Sequence, residues 1–131
     1  MKSIHLLALL AAIFILLGGW ALLFPAMVEN LVLKPEYYAG TATSKLLMGC
    51  FGAQAVLTGV ALSFARFRPI GFLVFGCIGS IPFFLFNYYF YFELGMFTEW
   101  MLVDFVGNIG ILALCVMGYI LRKKELSRQY R

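Results

Sequence analysis

Four apolar runs, Ile4 to Phe24, Leu46 to Ala65, Ile70 to Phe92 and Trp100 to Leu121, take up most of a 131-residue chain. Each has the roughly 20 residues that a helix rising about 1.5 Å per residue needs to cross ~30 Å of hydrocarbon. With 63% hydrophobic and 12% charged residues, little is left between them for a soluble domain. The runs predict an all-α integral membrane protein, a single domain forming a four-helix up-down-up-down bundle. The first run follows Lys2 as the apolar core of a signal peptide would, but it is too long for one, so a retained helix is expected. The connections are an outer loop over 25–45, a short turn Arg66-Phe67-Arg68-Pro69, another from Glu93 to Thr98, and a basic tail over 122–131.

The placement of basic residues sets the expected orientation. If four helices alternate, Lys2, Arg66, Arg68, Arg122, Lys123, Lys124, Arg128 and Arg131 share one side, where only Glu125 opposes them, for +7. Glu29, Lys34, Glu36, Lys45, Glu93 and Glu99 on the other side sum to −2. The positive-inside rule then puts both termini in the cytoplasm of a cell with a plasma membrane or bacterial inner membrane. The basic balance is accounted for by this topology and by attraction to anionic lipid, and no nucleic-acid motif accompanies it.

Asp104 and Asn108 lie inside the fourth run, where a charge facing lipid is expensive. On a helix, Asp104, Gly107, Asn108, Ile111, Cys115 and Gly118 share one narrow face, and Leu102, Phe105, Ile109 and Leu112 the back. The third run places Gly76, Ser80, Phe83 and Asn87 on one face, with a bend expected at Pro82, which frees the carbonyl of Ile78. An aromatic run from Phe83 to Phe92 follows; a membrane-interface belt explains its outermost rings, and the others are expected to line the interior. The second run, capped by Thr43 or Ser44, has a small-residue seam through Gly49, Gly52 and Gly59, and a second face with Cys50, Gln54, Thr58 and Ala61. One of these faces is expected to meet the fourth helix. Proline 25 should end or kink the first helix, and Lys34-Pro35-Glu36 can open a short interfacial one.

Asp104, Asn108, Asn87 and Gln54 are thus the candidate ligand-binding residues, converging in the outer half of the bundle on a pocket walled by Phe83, Phe86, Tyr88 and Tyr91. The bland alternative is that they hydrogen-bond one another and fix helix register. His5 has no clustered partner, so no metal site, catalytic set or cofactor is expected. Cys50, Cys77 and Cys115 lie in separate helices and read as buried small apolar residues. Gly40-x-x-Thr43-x-x-Leu46-Leu47 can be laid on Gly95-x-x-Thr98-x-x-Met101-Leu102, as a two-plus-two repeat would require.

The Gly49-x-x-Gly52 and Gly59 pattern, with Phe24-Pro25-x-x-Val28 closing the first run, resembles the small bacterial four-helix membrane proteins described as DoxX-like or of unknown function. The resemblance implies the same architecture over the whole chain. An acid that it would imply near the start of the second helix is absent, with Lys45 in that region. The size is similar to that of small multidrug-resistance transporters, but the first helix lacks the acid on which those depend. The expectation is a non-enzymatic protein of the lipid bilayer acting by binding, either as an accessory subunit that meets a membrane-protein partner or second copy through the glycine seam of the second run, or as a binder or proton-coupled transporter of a small amphipathic or cationic molecule.

Overall fold

A computed structural model describes residues 2–129, so Arg131 of the basic set lies outside the described residues. They form five α-helices: α1 Ser3–Leu23, α2 Pro25–Val32, α3 Ala42–Phe64, α4 Pro69–Asn87 and α5 Met101–Gln129. Helix α4 continues into a π-helical turn, Tyr88–Glu93. The described residues contain no strand, only an isolated antiparallel bridge between Leu33 and Phe97. Four of the helices, counting α4 with its π turn, are long and apolar enough to cross a membrane. They alternate in direction: Ser3 meets Glu125 at one end, here the base, and the Leu33–Phe97 bridge closes the other, the crown.

Pro25 ends α1, as its ring and missing N–H require, and at the same time starts α2, where the first position needs no donor. The segment expected as an outer loop therefore holds an eight-residue helix, followed by a single 3₁₀ turn at Pro35–Tyr37. Helix α3 begins four residues earlier than its apolar run. Its cap is Thr41, whose Oγ1 accepts the Ser44 N–H at 3.1 Å, and not Thr43 or Ser44. Gly40 and Gly95, which precede α3 and α5, both sit at left-handed φ, +60° and +61°, where a side chain would be strained. Helix α5 does not stop at Leu121 but carries the basic tail in helical form to Gln129.

The helices pack in two pairs. Helix α1 lies along α3 through glycine: a Cβ added to Gly18 would fall 2.6 Å from Ala55 Cβ, and one on Gly59 2.6 Å from Ile15 Cγ1. One on Gly52 would collide with the α1 backbone at Leu22 and Gly18. Gly49 faces open space, so the seam runs through Gly18, Gly52 and Gly59. This seam meets α1, so it is not the open surface for a partner chain that was expected, and it is not where α3 meets the last helix. Helix α4 lies along α5, with Gly76 against Cys115 and Gly118 against the Phe72 ring. A smaller α1–α5 contact joins the pairs.

Most of the buried core lies toward the base, where Leu7, Leu10, Ala11, Leu62, Phe72, Ile111 and Cys115 cluster. The short Arg66–Pro69 turn suggests that α3 and α4 are packed neighbours, yet they share little direct contact. Phe67 in that turn inserts instead, edge-on to Phe72 at 5.3 Å and 5.8 Å from Phe75. Large apolar side chains such as Leu16, Leu23, Leu57, Phe64, Ile78 and Val106 point outward on all four long helices. That is far more apolar surface than a soluble monomer exposes. Cys50 and Cys77 are part of this exposed surface, contrary to the expectation of buried thiols; only Cys115 is enclosed.

Candidate functional site

Asp104, Asn108 and Asn87 come together between α4 and α5, toward the crown. Asp104 and Asn108 are one turn apart on α5, so their side chains stack on one face. Asn87 is the last residue of α4, immediately before the π turn. Asp104 Oδ2 accepts from Asn87 Nδ2 at 2.8 Å and from Asn108 Nδ2 at 2.9 Å. Asn108 Nδ2 also donates to the Asp104 carbonyl at 2.8 Å. One turn deeper, Ser80 Oγ donates to the Asn108 carbonyl at 3.1 Å. Ser80, Asn87 and Asn108 are all buried. The result is a ladder of polar contacts along one helix–helix seam, each fixing which turn of α4 faces which turn of α5. One acceptor in it is idle: Asn87 Oδ1 is buried and has no hydrogen-bond partner.

Gln54 does not join this cluster. It lies near the middle of α3 on an exposed face, and its backbone carbonyl accepts from Thr58 Oγ1 at 2.9 Å. Among the described residues its side-chain amide has no hydrogen bond. The expected aromatic wall is likewise dispersed. Tyr88 and Phe86 are about half exposed, at 56% and 46%. Phe83 leans toward Phe51 of α3, 6.4 Å between centroids, while Phe86 and Phe90 gather on Phe97 beneath the crown, at 5.9 and 5.7 Å. The helix continues through Pro82, and the widening of α4 falls later, at Tyr88–Glu93. Two cavities, of about 480 and 290 Å³, lie toward the base, and neither is lined by Asp104, Asn108, Asn87, Gln54, Tyr88 or Phe83.

Two polar contacts were missed by the sequence reading. Glu29, counted there only as an outer charge, is 2% exposed. Its carboxylate accepts from the Gly40 N–H at 3.3 Å and from Ser44 Oγ at 3.0 Å, which draws the start of α3 against α2. Its place one turn after Pro25, next to the buried Val28, and the Ser44 hydroxyl were the available signals. At the base, Glu125 accepts from Ser3 twice, N–H to Oε1 and Oγ to Oε2, both at 2.7 Å, and from Arg122 at 3.2 Å. Beyond Leu121 four consecutive charged residues place this carboxyl clear of the apolar span. Hydrogen bonds from the Ser3 backbone and side chain, aided by Arg122, hold it below the usual carboxylate range.

The fold and its contacts define a class: an all-helical bundle of two glycine-packed pairs, with four helices able to cross a membrane and a carboxylate–amide clamp in one pair. Comparison with protein-family models, with curated proteins and with solved structures finds no match to the chain.

Proposed function

We propose that this is a non-enzymatic integral membrane protein, oriented with both termini in the cytoplasm, which serves as an accessory subunit by packing α3 against a transmembrane helix of a partner chain. One observation carries the reading. Gln54 presents an amide with no side-chain partner among the described residues, at the middle of a span in which the other polar side chains, Thr58 and Ser63, bond their own helix backbone, and on its exposed side. In hydrocarbon such an amide costs several kcal/mol unless another helix supplies hydrogen bonds. Two features add support: α3 is less enclosed by its own chain than α1 is, and Ala53 beside Gln54 leaves room for close approach. The carboxylate clamp then serves to hold the protein's own pairing rather than to bind a ligand.

The test is gentle extraction from the native membrane followed by native mass spectrometry. A stoichiometric complex with another chain is expected, lost in Gln54→Leu, whose own thermal unfolding should be unchanged. A wild-type protein that remains an unaccompanied monomer after extraction by several mild detergents would count against the subunit reading.

A second reading is favoured by the idle Asn87 Oδ1. A small amphipathic or cationic molecule carrying a donor can bind there and beside Asp104, with proton-coupled passage as its extension. Asp104→Asn would then abolish binding or transport; full activity with unchanged pH dependence in that variant removes the carboxylate from any such mechanism.

A further inference from the structure

The larger cavity, about 480 Å³, opens at the base, and its lining is two-faced. Lys2, Arg66, Arg122 and Arg128 contribute four cationic groups from three separated parts of the chain, while Leu7 and Phe72 line its apolar side. Glu125 is the one acid in the lining, and it is already engaged by Ser3 and Arg122. The lining therefore carries a formal +3. Among the described residues, Lys2, Arg66 and Arg128 have no carboxylate partner; Arg66 donates only to the backbone carbonyl of Ala65, at 3.1 Å. Gathering unpaired cations round one concavity is unfavourable by mutual repulsion, and an anion relieves it.

The smaller cavity indicates what kind of anion. It is a cleft of about 290 Å³ between the lower halves of α3 and α4, lined by Leu57, Ala61, Leu62 and Phe75 among others. Phe67 lines both cavities. A basic chamber and an apolar groove thus meet at one side chain, at the end of the bundle where the apolar spans give way to charge. We propose that the two chambers form a single site for an anionic phospholipid, with the phosphate held by Arg66, Arg122, Arg128 and Lys2 and an acyl chain lying in the α3–α4 cleft past Phe67. A free phosphate would use only the first chamber, and a neutral lipid only the second. Basic pockets between helices at the membrane surface recognise anionic headgroups in this way. The inference rests on the membrane reading but not on the partner at Gln54, which lies nearer the crown than the cleft.

The test is native mass spectrometry of the purified protein, delipidated and then titrated with phosphatidylglycerol or phosphatidylcholine of identical acyl chains. One phosphatidylglycerol should be retained at least tenfold more tightly than phosphatidylcholine. Arg66→Gln combined with Arg128→Gln should weaken it on the order of thirtyfold, whereas the same charge removed at Lys123→Gln and Lys124→Gln, which lie outside the lining, should have much less effect. Thermal unfolding of each variant without lipid separates loss of the site from loss of the fold, and Lys2→Gln, at the exposed chain start, gives a milder replacement should the arginine pair not fold. Equal retention of the two lipids, equal loss from the two double variants, or displacement of phosphatidylglycerol by millimolar inorganic phosphate would each overturn the proposal, the last in favour of a plain anion site. Absence of a protein partner in the same spectra bears on the subunit reading alone.

Discussion

The two helix pairs solve the same packing problem by different means. Between α1 and α3 the contact is made by Gly18, Gly52 and Gly59, which bring backbone against backbone with no side-chain hydrogen bond between these two helices among the described residues. Between α4 and α5 glycine is used only toward the base, at Gly76 and Gly118, and the crown half is held by Ser80, Asn87, Asp104 and Asn108. Where lipid tails are as apolar as leucine, close approach gains dispersion contacts but tolerates sliding, whereas a directional hydrogen bond is satisfied in one register. The α1–α3 pair depends on shape, and the α4–α5 pair on shape at one end and polar matching at the other.

The largest expected effect breaks the first pair. Gly52→Leu puts a branched side chain into the backbone of α1 and should cost about 3 kcal/mol or more in a denaturation series in mild detergent, with Gly18→Leu behaving alike. Next comes the polar half of the second pair. Asp104→Leu leaves the Asn87 amide buried without its acceptor, while Asn108 keeps its bond to the backbone carbonyl of residue 104, and should cost about 1–3 kcal/mol. Adding Asn87→Leu should recover part of that loss, because it removes a stranded donor together with the idle acceptor. If the double variant is no more stable than the single one, the clamp is not what holds α4 to α5.

The tie between the pairs should give a smaller, pH-dependent effect. Ser3→Ala removes the hydroxyl bond to Glu125 and should cost about 1 kcal/mol at neutral pH, given a partly exposed carboxylate. Since the folded state holds this carboxyl below its usual range, the contribution is fully present above the ordinary glutamate pKa. It fades as pH falls through the lowered folded value, so the wild-type and Ser3→Ala unfolding curves should converge in acid. The smallest effect is at Gly49, where Gly49→Ala should lie within about 0.5 kcal/mol of wild type, the contrast that separates the seam from its look-alike.

The reach of the sequence differed between these regions for physical reasons. Asp104, Asn108 and Asn87 were legible because polar side chains inside apolar runs must find one another, and helical spacing put Ser80 and Gly76 on the same face as Asn87. Gln54 obeyed the same rule of expense but not the same destination, because periodicity assigns a residue to a face without saying which helix that face meets. The pairing of α3 was obscured by loop length: a four-residue turn allows neighbours, but the bulk of Phe67 directed into Phe72 and Phe75 decides how closely they approach. The cap of α3 was expected at Thr43 or Ser44, beside the apolar run, whereas Thr41 caps the helix and the Ser44 hydroxyl turns instead to the distant Glu29 carboxylate, a tertiary contact that a local capping rule does not show. The charged stretch after Leu121 read as a tail, yet Arg122 and Glu125 pair one turn apart and Ser3 anchors them, so the helix continues. The faint repeat has one structural echo, the matched left-handed turns at Gly40 and Gly95.

The uneven burial of the cysteines makes the molecule its own reporter. Cys50 on α3 and Cys77 on α4 are exposed, while Cys115 lies at the α4–α5 seam, against the Gly76 backbone. In detergent solution a small membrane-permeant alkylating reagent should therefore add two adducts quickly, and a third only as fast as the basal core, where α1 and α4 both enclose α5, opens. The mass of the protein, followed in time, then clocks the opening of the core that joins the two pairs without any introduced label.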